Sequence, residues 1–102
     1  MMRFVGAFLV MAGVLLFNAP VQAQKKPPRA DLEQCARCHG DEGIARDTEV
    51  PNLAGQNEAY LVNQLRAFRS GTRRHPEMRF MSKTMTDAEI EAYAAYYTAL
   101  KP

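Results

Sequence analysis

Cys35-Ala36-Arg37-Cys38-His39 decides how this chain folds. The pattern C-x-x-C-H is the signal for covalent attachment of a c-type haem: each thiol adds across one vinyl group of the porphyrin, and the adjacent histidine places its imidazole on the iron. Cys35 and Cys38 stand three apart, so a helical turn projects both from one side, and His39 continues that turn under the macrocycle. They are the chain's 2 cysteines, which accounts for one haem and leaves no thiol over. A porphyrin held in this way becomes the centre of the core, with the remaining chain wrapped around it.

Other uses of two cysteines fit less well. A zinc site needs a second C-x-x-C or histidines at short spacing, and the one other histidine, His75, stands alone much further along. A thioredoxin-like redox pair needs a βαβ setting, for which the chain has no strand-like alternation. A structural disulfide leaves His39 without a role.

Residues 1–23 read as an export signal. Arg3 is the lone positive charge, Phe4 to Phe17 form an apolar run, and Val21-Gln22-Ala23 is a small-residue cleavage site. The run is shorter than the ~20 residues that span a bilayer, so cleavage without stable membrane insertion is expected, an uncleaved anchor being the alternative. The remainder, from Gln24 to Pro102, is one small domain, of a size that usually needs a staple, a metal or a cofactor. Export agrees with the chemistry, because haem is joined to such thiols on the outer side of the bacterial inner membrane, where two close cysteines otherwise tend to pair. The expected location is therefore periplasmic.

The chain has 13 Lys and Arg against 11 Asp and Glu, a formal charge of +2. That balance excludes a nucleic-acid reading based on net charge. Arg66, Arg69, Arg73, Arg74 and Arg79 crowd one stretch, and Asp87, Glu89 and Glu91 crowd the next. They read as two solvated helix faces, or else as a docking dipole or as guanidinium groups for haem propionates.

The secondary structure reads as all-α. Residues 24–30, with Pro27 and Pro28, form an extended leader, and the haem domain runs over 31–102. Asp31 caps a short first helix, with Gln34 completing a capping box. Gly40 to Gln56 is a loop punctuated by Gly40, Gly43, Pro51, Asn52 and Gly55. Asn57 caps a second helix to about Ser70, closed by Gly71; Leu61, Leu65 and Phe68 form its buried stripe, extended by Tyr60. Thr86-Asp87-Ala88-Glu89 is a capping box opening a third helix to about Leu100, with Ile90, Tyr93, Ala94, Tyr97 and Leu100 on one face.

Between the last two helices lies a methionine-rich loop, Met78-Arg79-Phe80-Met81-Ser82-Lys83-Thr84-Met85. Methionines are commonly flexible core fillers. A thioether is also the usual second axial ligand in electron-carrying haem proteins, where it favours ferrous iron and raises the reduction potential. With His39 on one face, a methionine of this loop is expected on the other.

In this order the residues resemble class I cytochromes c, specifically the small bacterial periplasmic members that occur as single domains and as tandem di-haem pairs. The resemblance runs from Cys35-Ala36-Arg37-Cys38-His39-Gly40 and Asp41 to Gly43 through Pro51-Asn52-Leu53-Ala54-Gly55-Gln56, Tyr60-Leu61, Gln64-Leu65 and Phe68-Arg69-Ser70-Gly71. It continues through Met78 and Met85-Thr86-Asp87 to Ala94, Tyr96 and Tyr97. It implies the cytochrome c fold, three main helices and loops around one covalently attached haem c. It also implies that His39 is the proximal ligand and that the Pro51 carbonyl accepts a hydrogen bond from its other ring nitrogen. In similar chains the methionine eight residues before the hydroxyl cap of the last helix is the distal ligand; counted from Thr86, that is Met78. Met81 is the second choice, and Met85, against the cap, is a packing residue. The cofactor-binding set is thus Cys35, Cys38, His39 and Met78, with His39 and Met78 on the iron.

Two departures accompany the resemblance. The first helix is short and lacks the glycine at which relatives let the first and last helices cross closely, so that crossing should be looser. The chain also carries one haem motif and stops after its last helix, so it is expected not to be a tandem di-haem protein itself, although it could pair with a separate subunit.

Iron with both axial positions filled exchanges one electron and has no vacant site for a substrate, and no acid, base or nucleophile is called for. The chain therefore reads as a carrier and not an enzyme. The leading expectation is a soluble periplasmic electron shuttle between a donor dehydrogenase or quinol-oxidising complex and an acceptor oxidase or reductase. The alternatives are a fixed haem subunit of an oxidoreductase and a haem sensor or peroxidase-like enzyme with an open distal site, against which the methionines argue.

Overall fold

The computed structural model describes residues 2, 5–7, 9–16 and 27–102. Four helices occur in order, α1 Arg29–His39, α2 Glu58–Ser70, α3 Pro76–Ser82 and α4 Asp87–Thr98, and the described residues hold no strand. Arg3, the Val21-Gln22-Ala23 cleavage site and Gln24 lie outside the described residues. Among those described, no helix is long and apolar enough to cross a membrane.

The first helix begins earlier than its expected cap. Pro28 occupies the cap position, and its carbonyl accepts the N–H groups of Asp31 and Leu32, both at 3.1 Å. Asp31 therefore sits in the first turn, where a negative charge suits the helix end, and no Asp31–Gln34 capping box forms. The reason is that proline's fixed φ, here −56°, suits a helix start, where a missing N–H costs nothing. Arg29 and Ala30 thus belong to the helix and not to an extended leader.

The other ends obey their local signals. Asn57 accepts the Tyr60 N–H at 3.0 Å, and Gly71 closes α2 with φ 83° in the left-handed region. Thr86 accepts the Glu89 N–H at 3.1 Å while its hydroxyl donates to the Glu89 carboxylate, also at 3.1 Å. The methionine-rich stretch is not all loop, because it contains α3: Pro76 takes the first helical position, Glu77 lies in the first turn, and His75 Nδ1 accepts the Met78 N–H at 3.4 Å.

Leu61 of α2 with Ala94 and Tyr97 of α4 form the core, and Leu32 and Cys35 of α1 pack against them together with Leu53, Val62, Tyr96 and Leu100. Phe68, Ile90 and Tyr93 are also buried. Leu65 is half-buried, whereas Tyr60, expected to extend the α2 stripe, is 48% exposed. The closest helix approaches are α2 on α4 and α3 on α2. The first helix reaches the others through side chains, in keeping with a crossing that lacks a glycine.

Candidate functional site

His39, at the last position of α1, is buried to 8% exposure, and its Nδ1 lies 2.8 Å from the carbonyl oxygen of Pro51. A carbonyl only accepts, so Nδ1 carries the proton, and the tautomer leaves the Nε2 lone pair for a metal. The loop makes this contact rigid. Its Gly43 carbonyl accepts both Leu53 N–H, at 2.8 Å, and Ala54 N–H, at 3.0 Å, while Gly55 N–H donates to Tyr97 O at 3.0 Å. Gly43 has φ 73°, and a Cβ there would stand 2.9 Å from Ala54 N, so only glycine lets the two ends of the loop close.

Neither cysteine is in a disulfide. Cys35 is half-buried and Cys38 exposed. Burial pushes the Cys35 thiol up, with the Tyr97 hydroxyl hydrogen bond acting the other way. Tyr97 is itself pushed up, first by burial and then by Cys35. This is the reverse of a redox-active thiol, whose pKa is lowered. Among the described residues, no three His, Cys, Asp or Glu side chains are grouped to hold a metal ion.

Met78, Met81 and Met85 are each half-buried. Met78 and Met81, three apart in α3, share a helix face. Met81 and Met85 line an open cleft of about 260 Å³ with Asp31 and Gln34 of α1 and Tyr93 of α4; Met78 is not part of that lining.

Two of the arginines crowded in sequence, Arg66 and Arg69, meet the acids Asp87 and Glu91, and two others bond to neutral groups. Arg69 donates to Asp87 at 2.7 Å and to the Met85 carbonyl at 3.1 Å. Arg66 lies 3.8 Å from Glu91 and 4.0 Å from Asp87. Arg73 covers the Phe68 ring at 4.6 Å and donates to Gln64 at 2.7 Å. Arg79 donates to the carbonyls of Phe68 and Arg69. The two faces are thus a seam between α2, α3 and α4, a tertiary pairing that the one-dimensional charge pattern does not reveal.

The sequence pattern of the cytochrome c family matches residues 28–101. The chain belongs to the cytochrome c family. This cytochrome c chain is 40% identical over 91 residues to the thiosulfate dehydrogenase electron acceptor of Thiomonas intermedia, covering 88% of itself and 41% of that protein. It is 35% identical over 77 residues to cytochrome c4 of Azotobacter vinelandii, covering 67% of itself and 37% of that protein. Among solved structures it is similar to cytochrome c4 of Acidithiobacillus ferrooxidans, with a TM-score of 0.62 and 38% identity over 65% of this chain and 38% of that one. The chain therefore spans about two fifths of the length of these relatives.

The residues of this cytochrome c fit the family's covalent haem. Two unpaired sulfurs lie one turn apart on α1, and a buried imidazole beside them is fixed by a backbone carbonyl with one ring nitrogen left for iron.

Proposed function

We propose that the chain carries one haem c joined through Cys35 and Cys38, with His39 and Met78 as axial ligands. We propose too that it moves single electrons between redox proteins in the periplasm. The observation that carries this is the 2.8 Å hydrogen bond between His39 and Pro51, which orients the imidazole and strengthens it as a donor, as the outer partners of metal-ligating histidines do.

When bound, the haem supplies a one-electron iron couple. Cys35 and Cys38 hold the macrocycle on α1, His39 keeps its ring in place without a flexible side-chain partner, and Met78 offers a soft sulfur that favours the ferrous state. Rigid ligation keeps the rearrangement accompanying each transfer small. A relative named as the electron acceptor of thiosulfate dehydrogenase supports a dehydrogenase as the donor, with an oxidase or reductase downstream.

The test is protein matured in a periplasm. Its intact mass should equal the processed chain plus one haem, and acidified acetone should leave the colour on the polypeptide. A folded product with two unmodified thiols overturns the reading.

A further inference from the structure

The C-terminal end of α2 is closed from outside the helix. Three of its carbonyls lie in the last turn, where the helix carries partial negative charge. Ala67 O accepts from the Ser70 and Thr72 hydroxyls, each at 3.2 Å, and from Arg73 N–H at 3.1 Å. Phe68 O takes Gly71 N–H at 3.2 Å and also Arg79 Nη1 at 3.2 Å, and Arg69 O takes Arg79 Nη1 as well. Arg79 belongs to α3 and directly follows Met78. Its guanidinium lies over Gly71, within contact distance of where a Cβ would stand, so the residue that ends α2 and the clamp adjoin.

We infer that Arg79 is a positioning residue for the sulfur ligand: by tying α3 to the last carbonyls of α2, it fixes the height and rotation of the helix that carries Met78 and Met81. The inference rests on methionine ligation of the iron, as proposed for this chain. A charge-assisted bond to carbonyl oxygens is stronger than a neutral one, and α3 has 7 residues, too few to be stable as a helix alone. The tie reaches back to a long, well-capped helix. Arg73, close by in sequence, carries the same charge but spends it on Gln64 and the Phe68 ring, both within α2.

Arg79→Gln, Arg79→Lys and Arg73→Gln are to be compared in the haem-loaded protein. The readouts are the ferric sulfur-to-iron charge-transfer band and far-UV circular dichroism along one urea titration, together with carbon monoxide binding by the ferrous form. In Arg79→Gln the band should vanish at lower urea than helix content, a local opening of α3 before global unfolding, and carbon monoxide affinity should rise about tenfold, the equivalent of one charge-assisted bond. Arg79→Lys should restore part of both effects, and Arg73→Gln should match the unsubstituted protein. If Arg79→Gln is too unstable to load, Arg79→Lys against Arg73→Gln decides on the same two measurements. Coincident loss of band and helix with unchanged carbon monoxide binding overturns the clamp alone, as does an equal effect in Arg73→Gln. Absence of the band in the unsubstituted protein overturns methionine ligation, and the clamp with it.

Discussion

His39 Nδ1 donates to the carbonyl oxygen of Pro51 at 2.8 Å, so the proposed iron ligand is oriented by a backbone atom that no side-chain substitution removes. The consequence is a division of labour. The His39 side is held by a loop that closes on its own peptide groups, and α3, which carries the proposed sulfur ligand, by its guanidinium contacts.

Met78 is the methionine expected on iron. The ferric charge-transfer band should be absent in Met78→Ala and present in Met81→Ala and Met85→Ala. The Met78 variant should also bind carbon monoxide readily and show a lower reduction potential, because the soft sulfur stabilises ferrous iron. Loss of the band in Met81→Ala alone would move the ligand one turn along α3 and leave electron carriage intact. If the unsubstituted protein lacks the band, the open-site alternative gains.

Thr86→Ala should cost about 1 kcal/mol of stability, since the Thr86 hydroxyl accepts the Glu89 N–H and donates to the Glu89 carboxylate. Urea unfolding of the haem-loaded protein gives the difference. The charge-transfer band should survive in native buffer, because the cap sits beyond α3. A neutral result would mean that α4 is held by its buried face alone.

Asp87 gives a pH dependence with a definite sign. Its hydrogen bond and charge contact with Arg69, helped by Arg66, hold its carboxyl below the usual range. A depressed folded pKa contributes stability that is fully present above the unfolded value, about 3.9, and is lost as pH falls through the lower folded value. The stability gap between the parent and Asp87→Asn should therefore be open at pH 6 and narrow steadily below about pH 4. Exposure of the carboxylate makes the gap small, and salt should shrink it further. A gap independent of pH would show that the carboxylate's charge is not what Arg69 uses.

Processing after Ala23 predicts a mature amino terminus at Gln24, free or cyclised to pyroglutamate, and mass spectrometry of secreted protein reads it directly. Recovery of the full-length chain in the membrane fraction would make the protein a tethered carrier.

Features governed by near neighbours are legible in the sequence. The C-x-x-C-H spacing, the Asn57 and Thr86 caps and the Gly71 terminator depend on residues within one turn, and the structure has the cap bonds and the terminator where those signals fall. The start of α3 is marked too, by Pro76 and Glu77, but a histidine cap is an unusual opening and methionine density does not separate helix from loop. Tyr60 shows the limit of periodicity, since it flanks the stripe yet points to water at the first turn of α2. The arginine seam is not legible, because it depends on how α2 crosses α4 and where α3 lands, which no spacing along the chain encodes.

The Gly43 carbonyl, shared by the Leu53 and Ala54 amides, makes the His39 side of the protein insensitive to ions in a way the α3 side is not. Peptide hydrogen bonds carry no net charge to screen, whereas Arg79, which ties α3 to the last carbonyls of α2, is an exposed charge that mobile ions reach. Rising ionic strength should therefore loosen one jaw of the crevice before the other, and deuterium should enter the amides of α3 well ahead of those of Leu53 and Ala54.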